Sequence, residues 1–301
     1  MKYLVLGSVN IDLTFRVDHI VNAGETLASE SVSRNAGGKG ANQAAALGKA
    51  GLEAYYGGKL GEDGEWILSK LRSFGVDTSL SVISSDCHTG QAIIQIDKSG
   101  QNCIVLDAGG NKMIDDDEID SILSHFSAGD VIIMQNEVNS IATMMEKAHE
   151  KGMRICFNPS PFEDYLMTLP LSYVDTFFVN EIEGRTMAGW DKVPSSDEEF
   201  RELASDLLSI FPSAKFVLTA GKKGAYCVSA KDGIAYAPIV DYPVVDTTGA
   251  GDTFCGFFLA ATERGMSNQE ALEKASIASG IAVSRLGAME SMPFGKEVFG
   301  V

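Results

Sequence analysis

Residues 245–254 read VDTTGAGDTF and lead directly into an apolar stretch, Cys255–Glu263, that we predict to be a helix. Gly249 and Gly251 let the backbone turn its N–H groups toward one point, and the positive end of the helix dipole lies at the same place. Such an arrangement can hold phosphate oxygens or a developing negative charge. The segment therefore predicts an anion site at the beginning of a helix.

Asp252 stands at the N-terminus of that predicted helix, beside the anion site. A carboxylate at this position can be a plain N-cap, and for an isolated Gly-x-Gly-Asp the cap is the commoner explanation. Taken alone, the segment leaves open whether Asp252 is a cap or a functional group.

Two familiar phosphate-binding fingerprints do not fit this segment. The dinucleotide-binding fingerprint requires a glycine where Phe254 stands, and it should lie early in the chain, after the first strand. The G-x-x-x-x-G-K-[ST] loop occurs nowhere in the sequence. The anion site must therefore belong to another class.

Elsewhere, short apolar runs alternate with stretches of helical periodicity. The runs predicted to be strands are Tyr3–Leu6, Val131–Met134, Arg154–Phe157, Thr176–Val179 and Phe216–Thr219. The predicted helices include Asn42–Ala50, Gly64–Phe74, Ile141–Lys151 and Phe200–Ile210. This alternation predicts an α/β fold whose mainly parallel sheet is covered on both faces, with ligands beyond the carboxyl ends of the strands.

Two regions interrupt the alternation with paired segments that flank turns. These segments are Leu13–Val17 with Glu30–Arg34, and Gln91–Asp97 with Asn102–Leu106. Apolar and polar residues largely alternate in Gln91–Asp97, as expected of a half-exposed hairpin. We predict a small second sheet that forms a lid, inserted at about residues 13–35 and 89–107 of a single domain spanning 1–301. Edge hairpins without a function are the alternative.

Charge and composition exclude several classes of partner and compartment. The 41 acidic and 24 basic residues give a net charge of −17, so we expect neither nucleic acid nor an anionic membrane as a partner. The N-terminal MKYLVLGSVN predicts a first strand instead of a signal peptide, and no apolar stretch reaches 18 residues. The five scattered cysteines form no C-x-x-C pair and predict buried, reduced thiols. We therefore expect a soluble, cytoplasmic protein.

An acidic run at residues 115–118 resembles a metal cluster at first sight. It precedes Ile119, Ile122, Leu123 and Phe126, which follow helical spacing. Acidic residues are favoured at helix N-termini, so we interpret the run as the beginning of a helix.

Residues 246–254 resemble the carboxy-terminal signature of the ribokinase-like (PfkB) family of carbohydrate kinases. The family's amino-terminal signature is present as NAGGKGANQA at residues 35–44, and its Asn-x-x-Glu element is present as Asn180–Glu183. The three motifs occur in the family's order and span nearly the whole chain. The resemblance implies a ribokinase-like three-layer α/β/α domain with a mainly parallel central sheet and a small β-sheet lid.

The resemblance also implies a reaction, in which the γ-phosphoryl group of ATP moves to a primary hydroxyl of a small sugar. The 5-hydroxyl of D-ribose is the leading acceptor, and the product is then ribose 5-phosphate. Asp252 would be the base, and N–H groups from Gly249–Asp252, including those of Ala250 and Gly251, would form the anion hole. The implied sugar pocket consists of Asn10, Asp12, Gly38, Lys39, Asn42, Glu137 and Asp252. Such side chains supply the convergent donors and acceptors that a polyol needs.

Cofactor sites follow from the same resemblance. The implied nucleotide contacts are Asn180, Thr219, Gly221, Lys222, Gly224, Gly251 and Ser276. Mg²⁺ is expected near Glu183, through water, because Mg²⁺ keeps much of its hydration. The family's K⁺ site corresponds to Asp246, Thr248, Ala282, Arg285, Gly287 and Ser291. Relatives often dimerise through the lid, which implies a homodimer.

Two alternatives remain open from the sequence. The first is a kinase for another acceptor, such as 2-deoxyribose, fructose or an adenosine-like nucleoside; a nucleoside would need a larger apolar pocket. The second is a non-catalytic sugar-binding regulator on the same fold. The presence of Gly249, Gly251, Asp252 and Glu183 speaks against a regulator, because a sensor has no need of a base.

Overall fold

The structure is a computed structural model, and it describes residues 1–300. Its strands are β1 (Lys2–Leu6), β2 (Asn10–Arg16), β3 (Ser31–Gly37), β4 (Glu53–Gly57), β5 (Lys59–Gly61), β6 (Val76–Asp77), β7 (Val82–Ser84), β8 (Gly90–Ile96), β9 (Asn102–Asp107), β10 (Val131–Gln135), β11 (Arg154–Asn158), β12 (Thr176–Asn180), β13 (Lys215–Thr219), β14 (Ala225–Ser229) and β15 (Gly233–Ala237). Its helices are α1 (Lys39–Lys49), α2 (Glu65–Ser73), α3 (Asp116–Leu123), α4 (Ile141–Glu150), α5 (Glu181–Met187), α6 (Asp197–Ile210), α7 (Ala250–Glu263), α8 (Asn268–Val283) and α9 (Gly295–Phe299).

The central sheet has nine strands in the order β15-β14-β13-β12-β11-β10-β1-β4-β6. All neighbours from β13 to β6 are parallel, whereas β14 and β15 continue the sheet antiparallel at one edge. The five strands expected from the sequence correspond to β1, β10, β11, β12 and β13. The prediction of a mainly parallel sheet is confirmed.

Helices cover both faces of this sheet, which explains why its strands are continuously apolar. In β1, for example, Tyr3 and Val5 pack with α1, α2, α7 and α8, whereas Leu4 and Leu6 pack on the opposite face with α3, α4 and α6. Successive side chains of a strand point to opposite faces, so every second residue enters each core. The predicted three-layer α/β/α arrangement is confirmed.

The acidic run at residues 115–118 begins a helix, as predicted. Asp115 is the N-cap of α3 and accepts a hydrogen bond from the N–H of Glu118, whose side chain accepts from the Asp115 N–H in return. The two bonds satisfy N–H groups that have no acceptor within the helix. The run therefore needs no metal to explain it.

A separate four-stranded sheet has the order β3-β2-β8-β9, with β2 and β8 parallel in the middle and an antiparallel strand on each side. We call it the lid sheet. The prediction of a small second sheet is confirmed, but β2 begins at Asn10 and β3 continues to Gly37, three residues beyond the expected boundaries. The pairing of β2 with β3 begins at Asn10 and Gly37, so the lid sheet reaches the loop that connects β1 to β2. The division into one domain with inserted lid strands stays a prediction.

The cysteines bear out the thiol prediction only in part. All five are free; Cys156, Cys227 and Cys255 are buried, but Cys103 is exposed on β9. Cys103 is exposed because β9 is an edge strand of the lid sheet and no helix in the described residues covers it. The sequence around Cys103 does not show that the strand lies at an edge. Within residues 1–300, no helix has the length and apolar character needed to cross a membrane.

Candidate active site

The N-terminus of α7 lies at the carboxyl edge of the central sheet. Gly249 is the residue before the helix, and its φ of 73° lies in the left-handed region that favours glycine. The N–H groups of Gly251 and Asp252 belong to the first turn, where no intrahelical acceptor exists. In residues 1–300 neither donates to a protein acceptor. The Ala250 N–H, also expected at the anion hole, instead donates to the Thr247 carbonyl at 3.2 Å, so the free donors of the first turn include Gly251 and Asp252 but not Ala250.

Asp252 is not an N-cap. Gly249 occupies the cap position, and no side chain caps α7. The Asp252 side chain is buried and accepts hydrogen bonds from two amides of α1 instead, from Asn42 Nδ2 at 3.1 Å and Gln43 Nε2 at 3.0 Å. The simpler interpretation of this carboxylate is therefore wrong, because its oxygens point away from the N–H groups of its own helix.

Glycines allow α1 to begin directly against the loop between β1 and β2. A Cβ at Gly40 would lie 2.5 Å from the Gly7 carbonyl carbon and the Ser8 nitrogen. Gly38 has a φ of 89°, and a Cβ there would lie 2.8 Å from Val9 Cα. Since only glycine fits these positions, the loop after β1 and the first turn of α1 are held in contact.

Glu137 and Lys39 meet at this junction. Glu137 accepts hydrogen bonds from the Lys39 backbone N–H at 3.1 Å and from the Ser8 hydroxyl. Burial by itself would lower the pKa of the Lys39 ammonium, but the negative charges of Asp252, Glu137 and Glu183 together raise it above the ordinary value. Lys39 is therefore protonated at neutral pH and faces three carboxylates.

Asn10 and Asp12 enter from the lid sheet on β2. Asn10 Oδ1 accepts a 2.8 Å hydrogen bond from Asn111 Nδ2, which holds its amide in one orientation. Burial, together with the nearby charge of Glu137, raises the pKa of Asp12 from 3.8 to about 7. The structure thus brings Asn10, Asp12, Gly38, Lys39, Asn42, Glu137 and Asp252 to one place, at the junction of the lid sheet, α1 and α7.

A cleft of about 230 Å³ extends from Asp252 along the carboxyl ends of β11, β12 and β13. Of the predicted nucleotide contacts, Asn180, Thr219 and Gly251 line it. Gly221, Lys222 and Gly224 form the turn after β13, and Ser276 is buried on α8 beside α7; these four do not line the cleft. Their role as nucleotide contacts stays a prediction.

Asn180 and Glu183 form a reciprocal cap at the beginning of α5. Asn180 Oδ1 accepts from the Glu183 N–H at 2.9 Å, and Glu183 Oε2 accepts from the Asn180 N–H at 3.0 Å. Glu183 is buried and lines the cleft, so a carboxylate faces the space that phosphates would fill. Within residues 1–300 no group of three acidic, histidine or cysteine residues could hold a metal alone. One carboxylate beside a phosphate site nevertheless suits Mg²⁺, which binds through few protein ligands and retains water.

The predicted cation residues lie where two loops meet. Asp246 Oδ1 accepts hydrogen bonds from the Thr248 N–H and hydroxyl, and Asp246 Oδ2 accepts from the Gly287 N–H. Ser291 donates its hydroxyl proton to the Ala288 carbonyl, which leaves the oxygen lone pairs available. The Arg285 guanidinium contacts Glu297, so only its carbonyl remains as a ligand. The Ala282 carbonyl, on the last turn of α8, already accepts hydrogen bonds from the N–H groups of Ser284 and Arg285. Oxygen donors of this kind fit a hard monovalent cation.

Several side chains of the site were not identified from the sequence. They are Ser8, Gln43, Asn111, Gln135 and Asn158. Each is a neutral polar residue in a loop, at the end of a strand or on a helix. Residues of this type usually face water. The one available signal was position, because Gln43 lies within the NAGGKGANQA segment and Asn158 directly follows a predicted strand.

Comparison with known proteins gives consistent results over the full length of the chain. A model described as pfkB family carbohydrate kinase matches residues 1–294. The ribokinase of Schizosaccharomyces pombe is 33% identical over 315 residues, covering 100% of this chain and 97% of that protein. The crystal structure of ribokinase from Cryptococcus neoformans in complex with ADP has a TM-score of 0.88 at 35% identity and covers 99% of both chains. The structure of Arabidopsis thaliana ribokinase complexed with ribose and ATP has a TM-score of 0.86 at 28% identity, covering 99% of this chain and 97% of that one.

Proposed function

The chain belongs to the pfkB family of carbohydrate kinases, and on this basis we propose that it transfers the γ-phosphoryl group of ATP to the 5-hydroxyl of D-ribose, giving ribose 5-phosphate and ADP. The observation that carries the proposal is the buried Asp252 carboxylate at the N-terminus of α7. It lies between a polar pocket under the lid sheet and a cleft that ends in free N–H donors. A regulator that only senses sugar would need neither the carboxylate nor the donors.

Asp252 is the proposed base. It accepts the proton of the ribose 5-hydroxyl while the hydroxyl oxygen forms a bond to the γ-phosphorus and the bond to the β-phosphate oxygen breaks. The N–H groups of Gly251 and Asp252, at the positive end of α7, stabilise the negative charge on the transferring group. The proton later leaves Asp252 for water, which restores the carboxylate.

Lys39 supplies the positive charge on the sugar side of the reaction. The carboxylates of Asp252, Glu137 and Glu183 keep Lys39 protonated. Its ammonium group offsets part of their negative charge and so reduces their repulsion of an entering triphosphate. Asn10, Asp12, Asn42 and Glu137 are the proposed partners of the ribose hydroxyls.

Nucleotide and cation sites complete the proposal. Asn180 and Glu183 would hold Mg²⁺ through water, and the ion would neutralise charge on the phosphates when bound. The nucleotide would be contacted by Thr219, by Gly221, Lys222 and Gly224 of the turn after β13, and by Ser276. A K⁺ ion held by the loops of Asp246 and Gly287 would hold the first turn of α7 in place.

The proposed assembly is a homodimer through the lid sheet. In the register, Asp12 is opposite Ala92, and Ala92 is opposite Leu106, so these side chains share one face. Leu106 and Ile104 are 59% and 51% exposed there, beside a residue of the sugar pocket. A second copy would cover them and would close the pocket at the same time. A cytoplasmic location, where ATP is available, belongs to the same proposal.

An acceptor screen tests the proposed function. ADP release is measured with ribose, 2-deoxyribose, fructose, adenosine and no acceptor, with Asp252→Asn as the control. We expect the highest kcat/KM with ribose. A strong preference for adenosine would replace the acceptor but keep the kinase. Ribose binding without ADP release from any acceptor would instead indicate a regulator.

A further inference from the structure

Both oxygens of Asp252 are held by consecutive residues at the beginning of α1. Asn42 donates Nδ2 to Asp252 Oδ2 at 3.1 Å, and Gln43 donates Nε2 to Oδ1 at 3.0 Å. The two donors differ in what surrounds them. Asn42 belongs to the proposed sugar pocket, whereas Gln43 lines the cleft on the other side of Asp252 and has 1% of its surface exposed.

The orientation of the Gln43 amide is determined by two strand ends. Gln135, the last residue of β10, donates Nε2 to Gln43 Oε1 at 2.7 Å. Asn158, the last residue of β11, accepts from Gln43 Nε2 at 3.2 Å and donates its own Nδ2 to the Phe178 carbonyl at 2.8 Å. Since Gln135 occupies the oxygen of Gln43, its NH₂ group must point toward Asn158 and Asp252.

This chain of amides carries no charge and links the ends of β10 and β11 to α1 beside Asp252. Its members are Gln135, Gln43 and Asn158, and we refer to them as the amide chain. Buried polar groups cost stability unless every donor and acceptor is satisfied. In the described residues, however, Gln135 Oε1 and Asn42 Oδ1 are buried without a hydrogen-bond partner. Gln135 belongs to the amide chain and Asn42 bonds the same carboxylate as Gln43, so both unpartnered acceptors lie next to the proposed base.

We propose that Gln43 is a positioning residue that anchors Oδ1 of Asp252, so that Oδ2 is the atom that accepts the proton from the sugar hydroxyl. The inference rests on the proposed function, because it assigns a role relative to that base. Oδ2 accepts from the amide of Asn42, a residue of the proposed sugar pocket, and the Oδ1 of that amide is buried without a hydrogen-bond partner in the described residues. When the sugar enters, the Asn42 contact is exchanged for a sugar contact, whereas the Gln43 contact stays and prevents rotation of the carboxylate.

The test replaces Gln43 with methionine, which has the same chain length but cannot donate a hydrogen bond. We expect Gln43→Met to lower kcat about 30-fold, as misplacement of a reacting group does, with KM for ribose and ATP within about threefold of the parent. Asn139→Leu is the matched control, because it also removes a part-buried amide, one that bonds only the Ile114 backbone and Ser140. The control should lose stability without this selective loss of kcat.

A double-mutant comparison separates positioning from packing. In an Asp252→Asn background, Gln43→Met should change the remaining rate by less than about twofold, because residues that act through one group are not additive. A full, independent loss in that background would overturn the inference, and so would an unchanged kcat in the single variant. If Gln43→Met does not fold, Gln135→Met removes the orienting contact, and the same kcat-selective loss is expected.

The outcomes also distinguish this inference from the proposed function. If Asp252→Asn abolishes turnover while Gln43→Met retains it, only the positioning role is wrong. If Asp252→Asn itself retains turnover, the base assignment is wrong and the role of Gln43 is overturned with it.

Discussion

The backbone N–H of Gly287 donates a 3.0 Å hydrogen bond to Oδ2 of Asp246, whose other oxygen accepts from Thr248. One carboxylate therefore joins the loop before α7 to the loop after α8. Burial would raise the pKa of Asp246, but the hydrogen bonds from Thr248 and Gly287 outweigh it and lower the pKa, so the group is ionised at neutral pH. Thr248 directly precedes Gly249, the N-cap of α7, so this junction adjoins the first turn of the helix.

From this junction we predict activation by potassium. Turnover should be severalfold higher in KCl than in NaCl at equal ionic strength, because protein carbonyl and hydroxyl oxygens replace the weakly held hydration shell of K⁺ at lower cost than that of Na⁺. Asp246→Asn should reduce this difference, since it removes one hydrogen-bond acceptor and the negative charge between the loops. Initial rates in the two salts provide the measurement. Equal rates for the parent protein would remove the cation from the proposal.

Replacing Asp252 with asparagine should lower kcat about 1,000-fold, within the range expected for loss of a general base. Ribose binding should change little, because the amide keeps the volume of the carboxylate and one acceptor for Gln43 or Asn42. Steady-state rates and calorimetric titration with ribose are the two measurements. Near-normal turnover would contradict the role of Asp252.

The two glycines before and within α7 should respond differently to alanine. A Cβ at Gly251 would meet no protein atom within 4 Å, so Gly251→Ala should fold normally but reduce kcat/KM for ATP about tenfold or more, because the methyl group enters the cleft. Gly249→Ala should lower the free energy of unfolding by about 1 kcal/mol, because Gly249 has a φ of 73°. Thermal melts and ATP kinetics of both variants test this contrast. Equal melting temperatures and equal kinetics would contradict it.

Asp12 should make stability depend on pH in the absence of sugar. Its pKa rises from 3.8 to about 7 on folding, so the folded state retains a proton that the unfolded chain has released in this interval. Stability should therefore fall as the pH rises from about 4 to 7, and the neighbouring charge of Glu137 strengthens the effect. Asp12→Asn should gain about 2 kcal/mol relative to the parent at pH 8 and little at pH 4, after allowance for partial solvent exposure. Denaturant melts at both pH values test this, and an equal effect at both would contradict it.

The exposed face of the lid sheet should determine the oligomeric state. Leu106→Glu introduces a charge at a residue that is 59% exposed, so the folded monomer should be unaffected while a dimer through this face dissociates. Light scattering with size-exclusion chromatography gives the mass, and Ile239→Glu, at an exposed position outside the lid sheet, is the control. A parent protein that is monomeric at all concentrations would contradict the dimer.

Much of the fold follows from local patterns, and the omissions have physical causes. The strands β1, β10, β11, β12 and β13 are buried on both faces, which makes them continuous apolar runs. The helix α8 was not predicted, because α7 covers one side of it and β14 with β15 covers the other. Small residues such as Ala275, Ala278 and Gly280 suit that position, and the exposed polar residues, among them Glu273, are confined to the first half of the helix, so the second half has no amphipathic pattern.

In the site, too, some residues could be identified from the sequence and others could not. Asp252 and Lys39 stand out in short glycine-rich segments, whose backbone demands are visible in the sequence. Gln43 and Gln135 do not stand out, because a glutamine has the same appearance on a surface helix and in a buried network. Their contact joins residues 92 positions apart, and only the packing of α1 on the carboxyl end of β10 creates it.

Asn42 and Asp252, which touch through one hydrogen bond, are 210 positions apart in the chain. During synthesis, the sugar-contacting segments leave the ribosome long before the last βα units, and contacts of such separation form late in folding. A chain that ends before α7 therefore lacks both the proposed base and the free N–H donors, so the proposed transfer cannot begin until the last quarter of the chain has folded against α1.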